Sequence, residues 1–187
     1  MELTQVQAHL KLGRQLQDQL QNLQSSYSLP RTNDRNTAIG VVEGRDMPFY
    51  ADSKINDRDI YKNYTDFDKV AVPCYNFLGD ISLPMRLTPD LNLYHPKEPG
   101  FTRGKEKCAE RKIINEIIRV VGKNNLERDS YSVNIYTDKE PCMYCLSLLK
   151  VQLPMLYSKL NVQIYFEQQL NDMQNTPEVF SPEYQFK

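Results

Sequence analysis

CAERKIINEIIRVVG, residues 108–122, decides the fold of this 187-residue chain together with YSVNIYTD at 131–138. In the first stretch the apolar residues recur at spacings that place them on one helical face: Ile113, Ile114, Ile117, Ile118 and Val121. Gly122 then supplies a residue typical of a helix C-terminus. The second stretch alternates apolar and polar residues, which is the pattern of a strand. The two stretches predict a helix followed by a strand.

Downstream of this strand, the sequence predicts a second helix and a second strand of the same kind. Pro141 suits the first position of a helix, and that helix is expected to end at Pro154 or shortly after, because proline is disruptive in a helix interior. Residues 160–166 alternate as a strand. The tail, residues 171–187, contains Pro177 and Pro182 and is expected to be extended.

Upstream, residues 3–24 carry leucines at spacings of three and four against a polar face, which predicts an amphipathic helix within an N-terminal segment 1–29. Two apolar runs, at 37–42 and 49–55, flank the turn residues Glu43 to Asp46 and suggest a hairpin. Residues 56–104 are rich in Asp, Asn, Lys, Tyr and Pro and are interpreted as an insertion of mostly irregular structure.

The order helix, strand, strand, helix, strand, helix, strand predicts an α/β fold, a three-layer α/β/α sandwich. Its sheet is expected to be mixed and to have about five strands. Splitting 187 residues in two would leave each half near the lower limit for a stable core, so residues 1–187 are expected to form one domain. Its core motifs fall within residues 105–168.

Composition and charge exclude several classes of protein. Apolar residues make up 40% of the chain and charged residues 25%, which is ordinary for a globular domain. The net charge of −1 excludes a histone-like basic protein, so contacts to a nucleic acid would need a local basic patch. No apolar stretch is long enough to cross a bilayer, and the polar N-terminus has no classical signal peptide. We expect a soluble protein that does not act in a membrane.

Three cysteines carry the strongest chemical signal. Cys142 and Cys145 lie on one helical face, and Cys108 stands at the start of the other predicted helix, so the three thiolates can share one zinc ion. Helix N-termini favour anions and are expected to assist thiol ionisation. Three ligands leave a fourth position open for water, as in catalytic zinc sites. Glu110 is close enough to take a proton from that water, and Arg111 is a candidate donor to a thiolate.

For several other residues, an ordinary structural role is an alternative to a functional one. Cys74 is either a buried core cysteine or the fourth ligand of a closed, structural zinc site. His95 is interpreted as an ordinary loop histidine, and His9 receives no role. Tyr94, Phe101 and Tyr144 are candidates for stacking on a base, although most aromatic residues of a domain belong to its core.

The paired motifs Cys108-Ala109-Glu110 and Pro141-Cys142-Met143-Tyr144-Cys145 resemble the zinc-dependent cytidine and nucleic-acid deaminase superfamily. Residues 108–111 are similar to free-nucleoside cytidine deaminases, and Glu140 to Cys145 are similar to tRNA adenosine deaminases. Over residues 107–167 the chain resembles the bacterial polymorphic-toxin deaminases most closely. Many nucleic-acid deaminases have a histidine in place of Cys108.

The resemblance implies a cytidine deaminase-like fold and a mechanism. Water activated by zinc attacks the ring carbon that bears the exocyclic amine, and Glu110 carries protons to the ring nitrogen and to the departing ammonia. The resemblance also places the backbone of Ala109 and of the turn from Thr137 through Glu140 to Pro141 against the edge of the base.

A basic run precedes the first cysteine of the motif and includes Arg103, Lys105 and Lys107. A solvated face is the ordinary interpretation of such a run. The functional interpretation is a rim that contacts the phosphates of a nucleic acid beside the zinc.

The motifs and the family that they resemble together imply a zinc-dependent hydrolase that deaminates cytosine in DNA or RNA as a bacterial toxin domain. Such a protein would be cytoplasmic or delivered into a target cell, and an immunity protein would be its partner in the producing cell. One alternative is a deaminase of free cytidine or deoxycytidine, as nucleoside or nucleotide. Another is a non-enzymatic, zinc-stabilised binding module.

Overall fold

A computed structural model describes residues 3–26, 35–45, 48–54, 108–142, 145–146 and 148–175. Within these ranges the chain forms five α-helices, one π-helical turn and four strands. In chain order they are α1 Leu3–Ser26, β1 Thr37–Val42, β2 Phe49–Asp52, α2 Ala109–Val121, α3 Lys123–Arg128, β3 Tyr131–Thr137, the π-helix Leu148–Gln152, α4 Leu153–Leu156, β4 Leu160–Phe166 and α5 Glu167–Asn175. The predicted insertion at 56–104 and residues 176–187 lie outside the described residues.

The four strands form one mixed sheet in the order β2-β1-β3-β4. β1 pairs antiparallel with both β2 and β3, and β3 pairs parallel with β4. The register of β1 and β3 places Ala38 opposite Thr137, so the start of β1 lies beside the end of β3. This edge of the sheet is where the predicted site residues meet.

Two cores on opposite faces of the sheet make the fold a three-layer α/β/α arrangement, as predicted. On one face the buried isoleucines of α2 pack with Val133 and Ile135 of β3 and with the π-helix and α4. On the other face α1 and α5 pack over Tyr136 and Tyr165. Residues of one strand alternate between the two cores because successive side chains of a strand point to opposite faces.

The contact between α2 and β1 is unusually close. A methyl group at Gly40 would overlap Cγ2 of Ile113, so the helix rests on the backbone of the strand. Ile113 is three residues after Glu110 in the same helix, and the contact of Ile113 with Gly40 therefore also sets the distance between Glu110 and the sheet.

Several sequence expectations are corrected in detail. The sheet of the described residues has four strands and not about five. β2 ends at Asp52 and not at residue 55, because the Asp52 carboxylate accepts the Lys54 N–H and forms a turn. The expected extended tail begins instead as helix α5, which continues to Asn175. The short helix α3 is an element that the sequence pattern does not predict.

The second predicted helix ends at Leu156, which confirms the prediction that it ends at Pro154 or shortly after. The helical path continues from the π-helix into α4, and Pro154 is the second residue of α4. A proline is tolerated there because the first N–H groups of an α-helix have no intrahelical partner. Within the described ranges, none of the helices combines the length and the hydropathy that a bilayer-spanning segment requires.

Candidate active site

Three cysteines from two chain segments converge at this edge of the sheet. Cys108 is the N-cap of α2, with φ −62° and ψ 137°, and its carbonyl accepts the Lys112 N–H at 3.1 Å. The Cys142 carbonyl accepts the Leu146 N–H at 3.0 Å, which starts a second helical turn and returns Cys145 to the same side. The three sulfur atoms all lie within 4.8 Å of one another.

This spacing fits a single metal ion. Zn–S bonds of about 2.3 Å in tetrahedral geometry place two sulfur atoms about 3.8 Å apart. The Sγ atoms of Cys142 and Cys145 are 3.6 Å apart. Three sulfur ligands are typical of zinc, so Cys108, Cys142 and Cys145 would hold that ion.

The thiol groups themselves do not ionise easily in the absence of a cation. The hydrogen bond to Cys142, together with burial, raises the pKa of Cys108 to about 12. Hydrogen bonds to Cys108 and Cys142, followed by burial, raise the pKa of Cys145 well above its usual value. A bound cation would reverse this effect, because it favours the thiolate forms. The expectation that the helix N-termini assist ionisation concerns thiols around a bound metal and stays a prediction.

Glu110 lies beside the cysteine cluster and is 2% exposed. Its Oε2 accepts a hydrogen bond from the Cys145 thiol, with 3.7 Å between sulfur and oxygen. Burial is the largest cause that raises the pKa of this carboxyl above its usual value. A carboxyl group held in this way next to a candidate metal site is suited to proton transfer.

The other carboxylate oxygen of Glu110 is held by residues of the sheet edge. The Asn36 side-chain amide donates to Oε1 at 2.9 Å, and Thr137 Oγ1 lies 3.3 Å from the same oxygen. The Thr137 hydroxyl also lies 3.0 Å from Asn36 Oδ1, which accepts the backbone N–H of Lys139 at 3.1 Å. Glu110 thus has one oxygen directed to the sheet and one directed to the cysteines.

The turn after β3 is largely occupied by contacts with the start of β1. The Asp138 N–H donates to the Thr37 carbonyl at 3.0 Å, and the Lys139 N–H donates to Asn36. The backbone N–H groups of Asp138 and Lys139 lie in the turn that is expected to contact the edge of a base, but both donate hydrogen bonds to other residues of the protein. Since Pro141 has no N–H, a backbone donor to a base from this turn would be that of Glu140.

The remaining predicted site residues have different positions. Ala109 and Pro141 are buried and Glu140 is exposed, and their contacts with a substrate stay predictions. Arg111 is buried in the first turn of α2, and its donation to a thiolate stays a prediction. The other candidates lie outside the described residues: Cys74, Tyr94, His95, Phe101, Arg103, Lys105, Lys107 and Tyr144.

Sequence reasoning missed Asn36. Asn36 is 74 positions before Glu110, and no spacing rule links them. The available signal was the position of Asn36 directly before a predicted strand. That strand and the strand that ends at Thr137 are both predicted to belong to one sheet. Antiparallel pairing of those two strands brings the start of one to the end of the other.

Comparison of the chain with protein-family models, curated proteins and solved structures gives no match.

Proposed function

We propose that the protein is a zinc-dependent hydrolase that deaminates cytosine in a nucleic acid. The observation that carries this proposal is the buried Glu110 carboxylate whose Oε2 lies 3.7 Å from the sulfur of a three-cysteine cluster. A structural zinc site has no need of a buried acid beside its ligands, whereas hydrolysis needs a group that moves protons next to the metal.

The chain's own residues can perform the proton transfers of a hydrolytic deamination. Zinc supplies an activated water when bound, because the ion lowers the pKa of a water ligand to near neutrality. Glu110 Oε2 accepts the proton of the attacking water and passes it to the ring nitrogen of the base. The same oxygen takes the second proton and delivers it to the exocyclic amine, which leaves as ammonia. Oε1 stays bound to Asn36 throughout, so the carboxyl group does not rotate between these transfers.

The motif resemblance of residues 107–167 supports the finer parts of the proposal. It favours a bacterial toxin domain that reaches its substrate in a target cell and is neutralised by an immunity protein in the cell that makes it. Arg103, Lys105 and Lys107 are the candidate phosphate contacts. Deamination of free cytidine is the alternative, and it needs neither the basic run nor a partner.

Metal content tests the site first. We expect one zinc per chain after purification without chelator, and an absorbing cobalt substitute that responds to an added small ligand such as azide. An exchangeable position of this kind would support the open site. A cobalt spectrum that no added ligand changes would favour a closed structural site and the binding-module alternative.

Activity is tested by incubating the zinc-loaded chain with cytidine, single-stranded DNA, double-stranded DNA and RNA. Conversion of cytosine to uracil, read by sequencing or mass spectrometry, names the polymer directly. The matched control is Glu110→Gln, which removes the proton-transfer group and leaves the ligands in place. Conversion by both proteins alike would reject the assignment of Glu110, and conversion by neither would reject the proposed function.

A further inference from the structure

We propose that Asn36 is a positioning residue that fixes Glu110 in its working orientation, an inference that rests on the proposed function. Asn36 bridges three parts of the site: Glu110 in α2, Thr137 at the end of β3, and the turn that leads to Cys142. It touches none of the three cysteines in these contacts. Its effect on the reaction would therefore pass through Glu110.

The orientation of the Asn36 amide follows from its neighbours. The backbone N–H of Lys139 can only donate, so the oxygen of the Asn36 amide faces it. The nitrogen must then face Glu110 Oε1, to which it donates at 2.9 Å. The two ends of the amide cannot be exchanged without placing an acceptor against a carboxylate and a donor against an N–H.

The backbone of Asn36 is fixed as firmly as its side chain. Its N–H donates to Ser53 Oγ and its carbonyl accepts the Ser53 N–H, both at 2.9 Å. These bonds tie the residue to the turn that follows β2. The adjacent Thr37 hydroxyl is bound by Gln24 of α1 and contacts Asp138. The donor that holds Glu110 is consequently hydrogen-bonded into the edge of the sheet.

The two carboxylate oxygens of Glu110 therefore have different contacts. Oε1 is engaged by Asn36 with Thr137 close by, while Oε2 faces the cysteine cluster. Without the Asn36 donor, the carboxyl group could turn about its last side-chain bond and present either oxygen, or neither, to the cluster. Loss of such supporting hydrogen bonds typically costs about 10- to 100-fold in activity.

The kinetic test compares Asn36→Asp with Asn36→Ala. The aspartate can still accept the Lys139 N–H but places an acceptor against Glu110 Oε1, and the alanine makes neither hydrogen bond. We expect kcat for both to fall about 10- to 100-fold with KM little changed, and Asn36→Asp to be no better than Asn36→Ala. The measurements should be made at the alkaline end of the pH range in which the enzyme is active. A proton shared between the introduced aspartate and Glu110, which would replace the lost hydrogen bond, is least favoured there.

A merely structural role predicts the opposite order. If Asn36 served only to close the turn, Asn36→Asp would keep that hydrogen bond and recover most of the activity that Asn36→Ala loses. That result would overturn the proposal. So would loss of zinc in Asn36→Asp, because the residue would then act on the ligands. The control Asn161→Asp makes the same change at an exposed site beside Ser132, at the other end of β3, and should change neither kcat nor melting temperature.

A stability cycle tests the contact without any assay of activity. Asn36→Asp should lower the melting temperature, since two acceptors then face each other. Adding Glu110→Gln to that variant should restore much of the loss, because the new amide can donate to the new carboxylate. Absence of this coupling would overturn the proposal. If the coupling is found and the wild type deaminates no substrate, Asn36 still holds Glu110 and only the proposed function fails.

Discussion

Glu110 is the residue on which the proposed chemistry depends most directly, and its environment makes a sharp substitution possible. Glu110→Gln keeps the size of the side chain but cannot carry a proton. We expect the variant to retain zinc and fold while turnover falls by about 10²–10⁴-fold or more, since in the proposed reaction this one group serves several proton transfers. A deamination time course and zinc content by elemental analysis measure the two effects separately. A variant that works at nearly the wild-type rate would show that another group moves the protons.

The cysteines make a second prediction at the scale of single residues. A zinc held by Cys108, Cys142 and Cys145 joins the start of α2 to the helical turn at Cys142, so it contributes to folding as well as to chemistry. Cys142→Ser should therefore lose zinc and lower the melting temperature together, and a chelator should lower the wild type toward the same value. Elemental analysis and thermal denaturation with and without chelator check this.

Cys74→Ser is the matched control for that experiment. Because an open site uses only three cysteines, this variant should keep its zinc and its response to the chelator. Loss of zinc on that single change would instead indicate a closed site with four cysteine ligands.

At the scale of elements, the close contact of α2 with β1 sets the position of the site. Gly40→Ala would place a methyl group against Ile113, and overpacking of this kind typically costs about 1–3 kcal/mol in the free energy of unfolding. We also expect lower activity, because lifting α2 from the sheet moves Glu110. Urea denaturation measures the stability change, and Gly40→Ala combined with Ile113→Ala should cost less than the sum of the two single changes.

Gly44→Asn is a control that separates the effect of crowding at Gly40 from the effect of replacing a glycine in the backbone of the hairpin. Gly44 has φ 77° and open space around its Cβ position, so asparagine, which tolerates this conformation, should be accepted with a small cost. A cost as large as that of Gly40→Ala would mean that the hairpin between β1 and β2, and not the contact with α2, limits stability.

The elements also show why sequence reasoning succeeded and where it stopped. The periodicity of α2 and β3 reports directly on burial, and both elements lie where their patterns predict. The helix that contains Pro154 ends two residues after it, as predicted, but the π-helical turn that precedes α4 and makes the proline part of a first turn leaves no signal in the pattern. α3 has a single buried residue, Leu126, and so leaves no periodic signal to detect.

At the scale of the whole molecule, the candidate site is built from contacts between distant parts of the chain. The three cysteines and Glu110 could be proposed from sequence because the spacing within each motif is short and the resemblance joins the two motifs into one site. Asn36 could not, because its place beside Glu110 depends on the order β2-β1-β3-β4 and on the register of β1 with β3. A turn helps to fix the register of a hairpin, but no turn joins β1 directly to β3, so their register cannot be deduced in this way.

The last prediction concerns what the whole molecule binds. A nucleic acid must be held along its backbone, and Arg103, Lys105 and Lys107 come immediately before Cys108 in the chain. Their joint replacement by glutamine should weaken binding of single-stranded DNA or RNA. The slope of log affinity against log salt concentration should become less steep by roughly 0.7 for each phosphate that is no longer neutralised. Turnover of free cytidine should barely change, because a nucleoside has no phosphate for these side chains to bind.

The matching comparison is deamination of an oligonucleotide against deamination of cytidine by the wild type under one set of conditions. The net charge of −1 means that general attraction of the whole protein to a polyanion is weak, so a preference for the oligonucleotide would have to arise from this local run. Loss of that preference in the triple variant would assign the run to the phosphates. A wild type that prefers cytidine would instead make the run a solvated face and identify the free nucleoside as the substrate.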